Sequence, residues 1–133
     1  MTKPIIHMIG QAHLDPVWLW RWTEGRAEAL ATSQALRDED MGSRARIAGE
    51  RFRSRFQATT PANVRELRQL GLMIGIELKE KARPHLIALM ERGVLALPAG
   101  PTVIRLLPPL VITDQQIDTV VDHLHAVLAQ KNG

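Results

Sequence analysis

The stretch VRELRQLGLMIGIELK, residues 64–79, decides the fold class. VRELRQLG mixes apolar and charged residues at the short period of a half-exposed strand. LMIGIELK reads as a second, more buried strand. Gly71 between them marks a tight bend or a bulge. Two strands at the centre of the chain make a purely helical architecture untenable, and the flanking segments supply the helices.

Upstream, from Gln34 to about Gln57, Met41, Ala45, Ala48, Phe52 and Phe56 recur at steps of three and four and form one apolar helical face. Gly42 and Gly49 weaken that helix, and a break is expected near Met41-Gly42. ATTPAN, residues 58–63, is a loop by composition. Downstream, residues 82–92 read as a helix with Pro84 in its first turn and Gly93 just past its end. VLALP and TVIRLL are two further strands separated by AGP, and Pro108 and Pro109 end the second. The last helix has the firmest signature. Thr113 and Gln116 make a capping box, followed by Ile117, Val120, Val121, Leu124, Val127 and Leu128 at helical spacing. The order from residue 34 is helix, two strands, helix, two strands, helix, an α+β fold with a small, mainly antiparallel sheet packed by helices.

The bulk properties narrow the function classes. The 133 residues allow one domain with its own core, and 45% apolar and 23% charged residues are ordinary for a globular protein. The net charge of +3 is too small to point to nucleic acid. Arg37, Arg44, Arg46, Arg51, Arg53 and Arg55 are interleaved with acids and read as a solvated helical face. Cysteine is absent, which excludes disulfides and thiolate chemistry and suits a cytoplasmic location. No apolar run reaches the roughly 18 residues of a membrane span.

The N-terminal segment carries different chemistry. PIIHMIGQA, residues 4–12, suits a buried strand, and HLDPVWLWRW follows at residues 13–22. In an extended segment His13 and Asp15 point the same way and can approach one cation together. Zinc is held by at least three protein ligands, so the pair alone is an incomplete site. His7, His85, His123 and His125 are the further nitrogen donors. His123 and His125, two apart on a helix, diverge. A polar pair at a strand end is the plainer reading of His13 and Asp15.

Residues 5–32, IIHMIGQAHLDPVWLWRWTEGRAEALAT, resemble the start of the catalytic domain of zinc-dependent α-mannosidases. That resemblance implies zinc ligation by His13 and Asp15 and sugar contact by Trp18. The family's other metal ligands and its catalytic acids have no counterpart here. From about Ala35 onward, ALRDEDMGSRARIAGERFRSRF and VRELRQLGLMIGIELKEKARPHLIALMERGVLALPAGPTVIRLLPPLVIT resemble the C-terminal small domain of class III pyridoxal-phosphate aminotransferases, the acetylornithine and LysW-γ-lysine group above all. The two resemblances meet between Arg26 and Leu36, in helix-compatible sequence, which suggests a chimera-like join and a division into residues 1–33 and 34–133.

The second resemblance implies that Arg105 binds a substrate α-carboxylate. Arg105 is the one charge between Ile104 and Leu106 in its strand. Its planar guanidinium suits a carboxylate bidentately, and an internal ion pair or exposure at a sheet edge are the alternatives. The only lysines are Lys3, Lys79, Lys81 and Lys131, and no glycine-rich phosphate cradle precedes a helix. A complete pyridoxal-phosphate site is therefore not expected, nor any catalytic residue in the isolated chain.

Four functional readings follow, in this order. The first is a non-catalytic folded module, chimeric or truncated, that self-associates through apolar surface such as Trp18, Trp20 and Trp22. The second is a fragment or subunit of a class III aminotransferase that needs a large-domain partner. The third is a zinc-binding mannosidase-like remnant, and the fourth, a nucleic-acid binder, ranks last.

Overall fold

The computed structural model describes residues 22–129. The N-terminal strand expected at residues 4–12, and His13, Asp15, Trp18 and Trp20 with it, lie outside the described residues. The chain divides into two compact units, Met1–Gly42 and Ser43–Gly133. In the first, helix α1 runs over Trp22–Asp38, starting well before the expected Gln34. Its Ala, Leu, Glu and Arg content favours helix without tertiary help. Local bonds add to this, among them Gln34 Nε2 to Asp38 Oδ1 at 3.0 Å and Arg37 Nη2 to Gln34 Oε1 at 3.1 Å.

The break falls at Asp40, two residues before Gly42, where φ is 47°. Aspartate tolerates the left-handed region better than most residues, so no glycine is needed there. Helix α2, Met41–Gln57, follows.

The second unit is a four-stranded antiparallel sheet under three helices. Besides most of α2, its elements are β1 (Val64–Leu70), β2 (Met73–Leu78), α3 (Arg83–Glu91), β3 (Leu97–Pro98), β4 (Val103–Leu106) and α4 (Asp114–Leu128), with strand order β1-β2-β4-β3. Leu70 pairs with Met73, so Gly71 and Leu72 form a two-residue hairpin connection. Gly71 has φ 56°, the left-handed conformation that such a tight connection asks of its first residue. The α+β class and the element order read from the sequence are both present.

Alternation sorts the strands into two faces. Ile74, Ile76, Leu78, Ile104 and Leu106 are buried on one side, and join Ala48, Phe52 and Phe56 of α2, Leu89 of α3, and Ile117, Val121, Leu124, Val127 and Leu128 of α4 in one core. Full burial of each such aliphatic side chain is worth about 1.5–3 kcal/mol, which makes this layer the main source of stability. The capping box opens α4 as expected. Thr113 Oγ1 accepts from the Gln116 amide at 3.3 Å, and Gln116 Oε1 accepts from the Thr113 amide at 2.9 Å.

VLALP delivers less strand than its composition promised, since only Leu97 and Pro98 pair with β4. Val94 is claimed instead by the end of α3, its amide bonding to the Leu89 carbonyl at 2.9 Å. Pro98 has no N–H to extend the ladder. The edge strand β1 carries Arg65, Glu66 and Arg68, all exposed.

Gly49 has a packing role that a helix-propensity reading misses. It is buried in mid-α2, and a Cβ there would run into the Gly71 carbonyl of the hairpin turn. Gln69 fastens the same junction, its Nε2 donating to the Gly71 carbonyl at 2.8 Å and also to that of Gly49.

Candidate functional site: the open face of the sheet

The face of the sheet opposite the core collects the polar chemistry. Register places Arg68, Gly75, Arg105 and Leu97 in one row across the four strands. Directly opposed residues project to the same side. Arg105 stands on β4, an internal strand and not an edge, and is exposed. It forms no ion pair with a described residue, so the internal-pair alternative is not realised among the described residues.

Its neighbours in the row explain this. Gly75 contributes no side chain, and Leu97 is apolar and 53% exposed. Arg68 is already neutralised. Its Nη2 lies 2.8 Å from Glu77 Oε2, and Arg65 Nη1 lies 3.0 Å from Glu77 Oε1. The arrangement leaves one uncommitted guanidinium beside a glycine gap, with exposed Leu70, Met73 and Leu97 on the same side. An anion arriving there meets a planar, permanently charged fork that can grip a carboxylate through two parallel bonds.

The other residues singled out in the sequence have structural occupations. His125 Nε2 meets the Phe56 carbonyl at 3.1 Å and its ring stacks on Phe56, while His123 belongs to a different side of α4, so the two diverge as expected. Among the described residues no cluster of three or more His, Asp or Glu could hold a metal ion. The arginines of α2 are largely engaged. Arg51 makes a two-pronged contact with Asp118 at 2.6 and 3.0 Å, Arg55 reaches Asp122 at 2.8 Å, and Arg46 reaches Glu50 at 2.9 Å. The Arg51 hydrogen bond holds the Asp118 carboxyl below its ordinary pKa and raises that of Arg51.

One polar cluster was not anticipated. His85 is buried at 2% exposure in the first turn of α3, with Nε2 2.8 Å from Glu80 Oε1, and Asn63 Nδ2 donates to the same oxygen at 2.8 Å. The bonds from Asn63 and then His85 lower the Glu80 pKa. This clasp ties the loop before β1 to the start of α3, whose N-cap Ala82 offers no side-chain acceptor. The sequence signal was an acid five residues before a histidine in EKARPH, which reads equally well as solvated surface.

Neither described lysine suits a pyridoxal-phosphate site. Lys79 donates Nζ to the Ala62 carbonyl at 2.8 Å, and Lys81 is exposed just before α3. A Schiff-base lysine in such a site stands with an acid for the pyridine nitrogen and a cradle for the phosphate. The described residues do not assemble that set.

Comparison with known proteins places the chain in a family. The family model for aminotransferase class-III matches residues 26–128. The chain belongs to the class-III aminotransferase family. It is 42% identical over 107 residues to a [LysW]-aminoadipate semialdehyde transaminase of Deinococcus radiodurans, covering 80% of this chain and 25% of that protein. An ornithine aminotransferase of an Exiguobacterium species is likewise 42% identical, over 103 residues. Among solved structures, an acetylornithine aminotransferase from Elizabethkingia anophelis superposes with a TM-score of 0.72 at 31% identity, over 78% of this chain and 28% of that one. The chain thus spans about a quarter of the length of the curated relatives it matches.

The family match begins at Arg26, inside the stretch where the two sequence resemblances meet, and takes in most of α1. These comparisons lend no support to the mannosidase resemblance or to a chimeric origin. Among the described residues no helix is long and apolar enough to cross a membrane.

Proposed function

We propose that this chain is the small-domain part of a class-III aminotransferase of the acetylornithine and LysW type, acting with a large domain that carries pyridoxal phosphate. This reading, second in order from the sequence, now stands ahead of the autonomous non-catalytic module. Its role is to bind and orient. Arg105 anchors the carboxylate of an amino-acid substrate from the open face, and the apolar surface of Leu70, Met73 and Leu97 covers the approach and excludes water. The cofactor, bound by the partner, supplies the electron sink for transamination.

The observation that carries this reading is the exposed Arg105, uncommitted on an internal strand beside the glycine gap at Gly75. A family relative truncated before its C-terminal quarter and mixed with this chain should regain amino-donor turnover. Arg105→Ala should lower kcat/KM for carboxylate-bearing donors by at least tenfold, and Arg105→Lys should restore only part of it. Turnover indifferent to Arg105 sinks the assignment.

Three finer elements belong to the same proposal. The open face is shielded by self-association when no large domain is present, as expected of leftover apolar surface, and light scattering tests it. The segment containing His13, Asp15 and Trp18 is of mannosidase type. Retention of zinc by untagged protein, lost on His13→Ala, is the test. The cytoplasmic setting inferred from the missing cysteines goes with the proposal.

A further inference from the structure

The helix-covered side of the second unit holds a cavity of about 260 Å³ whose lining is entirely apolar residues, glycine and proline. Phe52 of α2, Ile74 of β2, Leu106 of β4, and Ile117 and Val120 of α4 form its walls, with Leu72 beside them. A second cavity of about 320 Å³ opens next to it and shares Gly93, Val94, Pro109, Ile112 and Val120. This outer part is polar in a selective way. Arg92, Gln116, Thr119 and His123 line it.

Two of those four are committed to α4 itself. Gln116 closes the capping box, and Thr119 Oγ1 donates to the Gln115 carbonyl at 2.9 Å. Asp122, the acid beside His123 in sequence, is held by Arg55 at 2.8 Å. Arg92 is exposed and His123 half-buried, and neither makes an ion pair or side-chain hydrogen bond with a described residue. The site therefore offers an apolar slot opening onto a guanidinium and an imidazole. Small-molecule sites combine an apolar interior of about 300 Å³ or more with a few directed polar groups.

We propose that this paired cavity binds an amphipathic monocarboxylate, its hydrocarbon tail in the apolar slot and its carboxylate at Arg92 and His123. The site lies on the core side of the sheet, opposite the face of Arg105, and does not depend on the aminotransferase reading. A neutral apolar ligand would leave Arg92 unused. A small hydrophilic anion would leave the slot unfilled.

The test is calorimetric titration of the full chain with hexanoate, octanoate, decanoate and 1-octanol. From hexanoate to octanoate the Kd should tighten about fourfold per added methylene, the equivalent of roughly 0.8 kcal/mol each. Octanol should bind at least tenfold more weakly than octanoate. Arg92→Gln should weaken octanoate about tenfold and leave octanol unchanged. Val120→Phe should abolish both, with circular dichroism and melting temperature checking that the variant is folded. Amide NMR shifts on adding octanoate should centre on Val94, Ile112 and Val120. Shifts centred on Arg105, affinity independent of chain length, or octanoate binding unaffected by Arg92→Gln would each overturn the proposal.

Discussion

The two faces of one sheet teach opposite lessons about how this class-III aminotransferase family member is built. On the covered face, Ile76, Leu78 and Ile104 are fully buried, in a core drawn from residues 45–128. On the other face, Arg105, Met73 and Leu97 meet no described residue that neutralises or covers them. Self-sufficient packing marks the side that folds the unit. The open face instead leaves a guanidinium and apolar side chains exposed around Gly75.

Swapping residues between these faces gives the sharpest contrast. Ile76→Ala should cost about 2–5 kcal/mol, since its side chain is enclosed and the site cannot collapse fully. Arg105→Ala, one strand away and facing out, should change stability by no more than about 0.5 kcal/mol. Urea denaturation of both variants measures the difference. Similar losses would mean the two faces are not energetically distinct.

A second test lies within α2. Gly49→Ala should destabilise by about 1–3 kcal/mol because the new methyl meets the hairpin carbonyl, although alanine is the better helix former. Gly42→Ala has open space and should stabilise by about 0.5–1 kcal/mol. Opposite signs at two glycines of one helix would confirm that backbone approach, not propensity, selects Gly49.

Acid probes a smaller contribution on the core side. Asp118 and Glu80 both titrate below their ordinary values because of hydrogen bonds to Arg51 and to Asn63 and His85. A carboxylate with a depressed folded pKa adds stability that is fully present above its unfolded value, about 4, and is lost as pH falls through the lower folded one. The melting temperature should decline below about pH 4, and Asp118→Asn should flatten that decline. Both groups are partly exposed, so solvent screens the effect, which is modest and shrinks with added salt.

The smallest stability effect belongs to the open face. Leu97→Lys should alter folding by less than about 0.5 kcal/mol, yet reduce any concentration-dependent mass in light scattering.

How far these features could be read in advance depended on whether the signal was local. The capping box of Thr113 and Gln116, the hairpin around Gly71 and the apolar periodicity of α4 are written in short windows, and each was legible. The start of α1 was misplaced because a strong-propensity stretch offers no sharp boundary. The shortness of β3 was hidden because Val94 and Ala96 look like strand residues until the end of α3 claims one of them. The setting of Arg105 between Ile104 and Leu106 singled it out as a lone charge in an apolar strand, while a carboxylate-binding role for it came only from the aminotransferase resemblance. Exposure at an edge was one alternative for it, but its place on an internal strand was not legible, because that depends on Gly75 and Leu97 arriving from two other strands. The cavity with Arg92 and His123 at its rim needs three separated segments brought together, and no window of sequence contains it.

The sheet's margins bear on how the protein behaves when crowded. One border is a two-residue strand ending in proline, and the other is lined with alternating positive and negative side chains. Neither is a good template for a foreign strand, because one is too short and the other too highly charged to be desolvated cheaply. Growth by strand addition into fibrils is thereby discouraged. Concentrated solutions should therefore not seed open-ended ribbons.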